Sequence, residues 1–136
     1  MKRVAVLIVL VLALAASARW TRAQGNAPRF TGRTEVVDSK DLSMGRRTFE
    51  PGARTFWHSH DKGQLLFVEQ GRGVVQRRGE SMKELKAGDS DYTGPNVVHW
   101  HGAAPNDRLL QINIGFGGET KWGEAVTDEE YGGRKK

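Results

Sequence analysis

The 136-residue chain contains no cysteine. That absence excludes thiol nucleophiles, disulfides and cysteine-ligated zinc, but it does not identify the compartment, because many exported proteins lack disulfides. Low-complexity tracts are missing as well, and nothing repeats internally beyond two short histidine-bearing segments. No stripe of mixed basic and aromatic residues suggests a nucleic-acid surface. Arg29, Arg33, Arg46, Arg47, Arg72, Arg77 and Arg78 are scattered, so the formal charge of +5 reads as a solvated surface. Long apolar runs are scarce too. Residues 4–16 form an uninterrupted apolar stretch of thirteen residues, too short to span a bilayer comfortably.

That stretch follows Lys2 and Arg3 and ends at Ala16-Ser17-Ala18, an A-x-A pattern. A basic start, an apolar middle and small residues at the end predict a signal peptide over residues 1–18, and hence an exported, periplasmic or secreted domain. Its removal would leave 118 residues with a formal charge of +3 and no stable membrane span. A chain of that length forms one domain and buries roughly two thirds of its unfolded surface, enough for a core without covalent staples. Residues 19–32 are polar with glycine and proline and are expected to be a flexible lead-in. The domain is expected over residues 33–131, with a frayed basic tail at 132–136.

Within the domain, short β-like runs alternate with turn signals, which predicts an all-β sandwich or barrel. The expected strands are residues 33–37, 44–49, 55–60, 64–69, 73–77, 82–85, 91–93, 97–101 and 109–114. Turns are expected at Glu50-Pro51-Gly52, Asp61-Lys62-Gly63, Gln70-Gly71, Arg78-Gly79, Ala87-Gly88-Asp89, Gly94-Pro95-Asn96 and Pro105-Asn106-Asp107. One short helix is expected near the C-terminus, where Thr127-Asp128-Glu129-Glu130 matches a capping box.

Chemistry concentrates in the four histidines. His58-Ser59-His60 is followed by Gln64, and His99-Trp100-His101 lies about forty residues on. Side chains on a strand alternate, so His58 and His60 share one face and a distant His99 can close a metal-binding triangle. Neutral imidazole is the commonest protein ligand for first-row divalent ions. Gln64 follows a turn, so strand parity does not place it, although its amide oxygen would serve as a hard, neutral ligand. Three nitrogens and one oxygen leave one or two octahedral positions for water or substrate, and such mixed ligation suits Mn²⁺, Fe²⁺, Ni²⁺ or Zn²⁺. His101 shares the parity of His99 and is assigned to a general base or acid beside the metal, with an orienting role as the alternative. Phe56, Gln111 and Asn113 are candidates for the substrate pocket, while Trp57 and Trp100 should face the other side. Ser59 points away from its histidine neighbours, which argues against a serine nucleophile. Gly71-Arg72-Gly73 reads as a hairpin turn in preference to a phosphate loop, and Asp89 and Asp91 as turn residues in preference to a catalytic pair.

These motifs resemble the cupin superfamily of small metal-bearing β-barrels. Its first motif runs G-x5-H-x-H-x3-4-E-x6-G, and Gly52, His58, His60 and Gly71 match it, with Gln64 in place of the acid. Its second runs G-x5-P-x-G-x2-H-x3-N, of which Gly88 and His99 match. Gly94 and Asn96 replace the proline and glycine, Ala103 replaces the asparagine, and Pro95 carries the turn. The resemblance spans residues 44–116 and implies a single-domain cupin β-barrel (double-stranded β-helix or jelly roll). More narrowly, H-x-H-x3-Q, H-W-H-G-A, Trp122 and the V-T-D-E-E-Y run ending at Tyr131 resemble a bacterial group of small cupins. That group includes manganese-dependent hydroxynitrile lyases of the (R)-mandelonitrile lyase type. The resemblance implies metal ligation by His58, His60, Gln64 and His99, favours manganese, and implies a lyase acting on a small organic cyanohydrin. Two other readings compete: a dioxygenase-like cupin, and a non-catalytic small-ligand-binding module. A homo-oligomer is a further expectation of the resemblance.

Overall fold

The computed structural model describes residues 31–132. The predicted signal peptide, most of the lead-in and the basic tail lie outside the described residues. Residues 31–37 contain no strand. The strand expected at 33–37 is therefore corrected: no strand forms there, and Val36 and Val37 are 97% and 81% exposed. Among the described residues no helix is long and apolar enough to cross a membrane.

From residue 38 onward the chain forms a curled antiparallel sheet of eight strands. They are β1 (Ser43–Phe49), β2 (His58–His60), β3 (Gln64–Arg77), β4 (Lys83–Lys86), β5 (Ser90–Thr93), β6 (His99–Ala103), β7 (Leu109–Gly115) and β8 (Thr120–Trp122). A single-turn helix, α1 (Asp128–Tyr131), follows. Its capping box is formed, with the Thr127 hydroxyl accepting from the Glu130 amide and the Glu130 carboxylate accepting from the Thr127 amide.

β3 organises the whole sheet. Its first half pairs with β5 and β7, and its second half with β4 and β6. Sequence reading divides this strand in two at Gln70-Gly71 and makes Gly71-Arg72-Gly73 a hairpin turn; the structure runs straight through. The glycine signal instead marks a register irregularity between Val68 and Gln70 on the β7 side, which bends the strand from one half of the sheet into the other. Gly71 has φ +78°, and a Cβ there would lie 1.7 Å from the Arg108 carbonyl oxygen, so only glycine lets the two strands approach. β8 is a strand that the sequence reading misses, because its three residues are all exposed and show no alternation.

Two apolar clusters flank the sheet. Phe49, Leu66, Val68, Val75, Leu85, Ala103 and Leu109 pack on the His101 side, where Phe49 meets that ring. Trp57, Val74, Trp100 and Val126 pack on the other, with Met82, Val98 and Tyr131 closing over them. Trp57 and Trp100 thus face away from the histidines, as parity predicts. Complete burial of an aliphatic side chain such as Leu66 or Leu109 contributes about 1.5–3 kcal/mol. Asp91 lies on β5, within the strand expected at 91–93, and is buried there with Arg77 and Lys83 paired to it at 2.7 and 2.9 Å. Asp89 does sit beside a turn, accepting from the Lys86 amide.

Candidate metal centre

The histidines meet through strand register. His58 is the direct partner of His99 across β2 and β6, and residues paired in this way point to one face. His60 is two residues from His58 and joins them from the same strand. Imidazole nitrogens of His58, His60 and His99 all lie within 4.8 Å of one another, a spacing that could hold a metal ion. His58 and His99 are buried and His60 half-buried.

Each ring is held by its Nδ1. His58 Nδ1 lies 2.9 Å from the Phe56 carbonyl and His99 Nδ1 lies 3.0 Å from the Val97 carbonyl. A carbonyl only accepts, so both rings carry their proton on Nδ1 and keep the Nε2 lone pair free. His60 Nδ1 meets the Thr120 hydroxyl at 3.0 Å, and its Nε2 is buried with no hydrogen-bond partner. Gln64, buried at the start of β3, places Oε1 3.1 Å from His99 Nε2. The free Nε2 lone pairs of His58 and His99 and the unpartnered Nε2 of His60, beside an amide oxygen, form a donor set that fits a divalent cation.

Burial also keeps these rings neutral, as ligation requires. Desolvation holds His99 at about 4, with the neighbouring imidazoles pushing the same way. It likewise lowers His58 and His60.

His101 sits beside this group, its ring centroid 5.3 Å from that of His58 and in edge contact with Phe49. Burial pushes it well below the usual imidazole range. Its Nδ1 lies 3.1 Å from the Gln111 amide nitrogen. An amide N–H donating there leaves the ring proton on Nε2, whereas turning the amide over moves it to Nδ1. The orientation of Gln111 therefore selects whether His101 presents a proton or a lone pair. Gln111, a sequence candidate for a hydrogen bond in the pocket, is only 1% exposed, with its amide engaged on that ring.

A cavity of about 540 Å³ opens over the histidines. Phe56 and Asn113 line it together with His58, His60, Gln64 and His101. Sequence reasoning did not single out Ser43, Arg47, Phe49, Arg54, Thr55 or Thr120, which also line it. Trp122, noted there only as part of a tail motif, packs against His58 with centroids 4.7 Å apart and rings tilted by 33°. Thr120 and Trp122 escape notice because β8 itself does.

The Cupin domain family matches residues 45–113. A protein of Granulicella tundricola named (R)-mandelonitrile lyase is 46% identical, over 79% of this chain and 89% of its own length. The crystal structure of a cupin-like protein from Thermotoga maritima is 48% identical, with a TM-score of 0.66 over 67% of this chain and 71% of that one. A cupin superfamily protein from Desulfitobacterium hafniense shares the fold at 14% identity, with a TM-score of 0.53 over 62% of this chain and 75% of that one. Matched over half its length by the family and by close relatives over more, this chain belongs to the cupin superfamily.

Proposed function

We propose that this cupin is an exported, metal-dependent lyase of the hydroxynitrile type, with His58, His60, Gln64 and His99 as its metal ligands. The observation that carries the metal is the convergence of three imidazoles within 4.8 Å, beside the buried, unpartnered Nε2 of His60. Support for the reaction class comes from the 46% identical relative named (R)-mandelonitrile lyase. Support for export comes from the basic, apolar and small-residue order of residues 1–18.

A divalent ion bound there would supply Lewis acidity toward the oxygen of a cyanohydrin or carbonyl compound. With Gln64 in place of a carboxylate, every protein ligand is neutral, so the ion keeps its full formal charge; the resemblance favours manganese. His101 is assigned the proton transfer, on the support of its ring lying 5.3 Å from that of His58. In cleavage, the hydroxyl O–H bond and the bond to the nitrile carbon break, the C=O bond forms, and cyanide leaves with the bonding pair. With the Gln111 amide oxygen accepting from Nδ1, His101 Nε2 takes the hydroxyl proton and delivers it to cyanide, ending in the state in which it began. Phe56 and Trp122 supply apolar surface for the organic group, and the cavity volume lies in the range of small-molecule sites.

Manganese-loaded protein tested with racemic mandelonitrile, with chiral detection of residual substrate, checks this reading. Metal-dependent release of cyanide and benzaldehyde from one enantiomer is expected. Stoichiometric iron with oxygen consumption, and no cyanide release, would replace it with oxidative chemistry.

A further inference from the structure

We infer that the cavity takes a small organic anion, a carboxylate held by Arg47 while the rest of the molecule reaches the histidines. The inference rests on the reading that the three-histidine group and His101 form the reactive end of this cavity.

The lining includes two arginines and no carboxylate among the described residues. The arginines differ in what they already hold. Arg54 is committed: its guanidinium donates to the Val126 carbonyl at 2.9 Å and to Asp128 at 2.6 Å, and it lies over the Tyr131 ring at 4.5 Å. The Arg47 side chain makes no hydrogen bond or ion pair with any described residue. Its neighbour Arg46, on the opposite face of β1, pairs with Glu69 at 2.6 Å. Alternation thus sends one arginine outward to a carboxylate and the next toward the cavity without one.

Register fixes where Arg47 stands. It is the direct partner of Gln111, whose amide contacts His101. Ser43 and Asn113 line the same β1–β7 wall. Gly45 lies between Ser43 and Arg47, opposite Asn113, and a Cβ there would come within 3.2 Å of the Asn113 amide nitrogen. This wall therefore offers a guanidinium, a hydroxyl and an amide. Phe56 and Trp122 contribute apolar surface to the same cavity. A planar guanidinium matches a carboxylate through two parallel hydrogen bonds, whereas cyanide accepts at a single point. A neutral cyanohydrin leaves that guanidinium unused; a carboxylate on an apolar body uses both kinds of surface.

Calorimetric titration of the manganese-loaded protein with mandelate and with mandelamide, its neutral isostere, tests the inference. Mandelate should bind about tenfold or more tightly. The two should become equal in Arg47→Met, which keeps an apolar stem, and part of the preference should return in Arg47→Lys, with metal content unchanged in both variants. Equal affinities in the parent protein, an undiminished preference in Arg47→Met, or no binding of mandelate at millimolar concentration would each overturn it. An Arg47-dependent preference without any cyanide release from mandelonitrile would leave this inference standing and remove the lyase reading.

Discussion

His99 Nε2 and Gln64 Oε1 face each other at 3.1 Å in a buried contact. With His99 donating through Nδ1 to Val97, both atoms are acceptors. Two lone pairs held together away from water are unfavourable, and protonating the ring is opposed by the burial that holds it at about 4. A cation between them, or a turn of the Gln64 amide that brings its N–H to the ring, resolves the conflict.

The role of Gln64 follows from its charge. Gln64→Glu should tighten metal binding by about tenfold, since each added ligand charge strengthens a site, and should slow any reaction that depends on Lewis acidity. Competition with a chelating dye measures the affinity; an unchanged value would mean that Gln64 is not a ligand.

His101 separates binding from turnover. His101→Ala should keep the metal and lose about 10²–10⁴-fold in rate, the usual contribution of a positioned acid or base. Metal analysis beside cyanide release tests this, and a variant with full turnover would assign His101 to structure alone.

Acid should destabilise the metal-free protein. Burial depresses His58, His60, His99 and His101 below their unfolded value. Unfolded imidazole titrates near ~6.5, so below that pH the unfolded chain binds more protons than the folded one. Stability is then complete above about pH 6.5 and declines toward about pH 4, His99 alone accounting for roughly 3 kcal/mol of the loss. Urea midpoints of chelated protein across this range read the effect, and a flat profile would contradict it.

How much of this was legible in the sequence depended on local periodicity. His58, His60 and the outward Trp57 and Trp100 follow from period two alone. Gly71 does not: glycine in a hydrophobic run reads as a turn, and only the approach of Arg108 shows that it lies inside a continuous strand. Alternation puts Arg46 and Arg47 on opposite faces, but only the pairing with β7 tells which of them meets the cavity. Thr120 reaches His60 from a strand of three exposed residues, for which no alternation exists to be read.

Gly71→Ala is correspondingly expected to destabilise by about 3 kcal/mol or more, through a positive φ and a clash with backbone together. Thermal denaturation against Gly79→Ala, which has a positive φ but open space around its Cβ, isolates the clash. Equal losses in the two variants would show that the close approach contributes nothing.

The central claim is the metal site. Elemental analysis of protein produced with manganese, iron, nickel and zinc in comparable supply tests it most directly, alongside His58→Ala and His99→Ala. The account predicts near-stoichiometric divalent metal in the parent chain and loss from both variants. A metal-free parent under every condition, or stoichiometric metal retained in both variants, would contradict it.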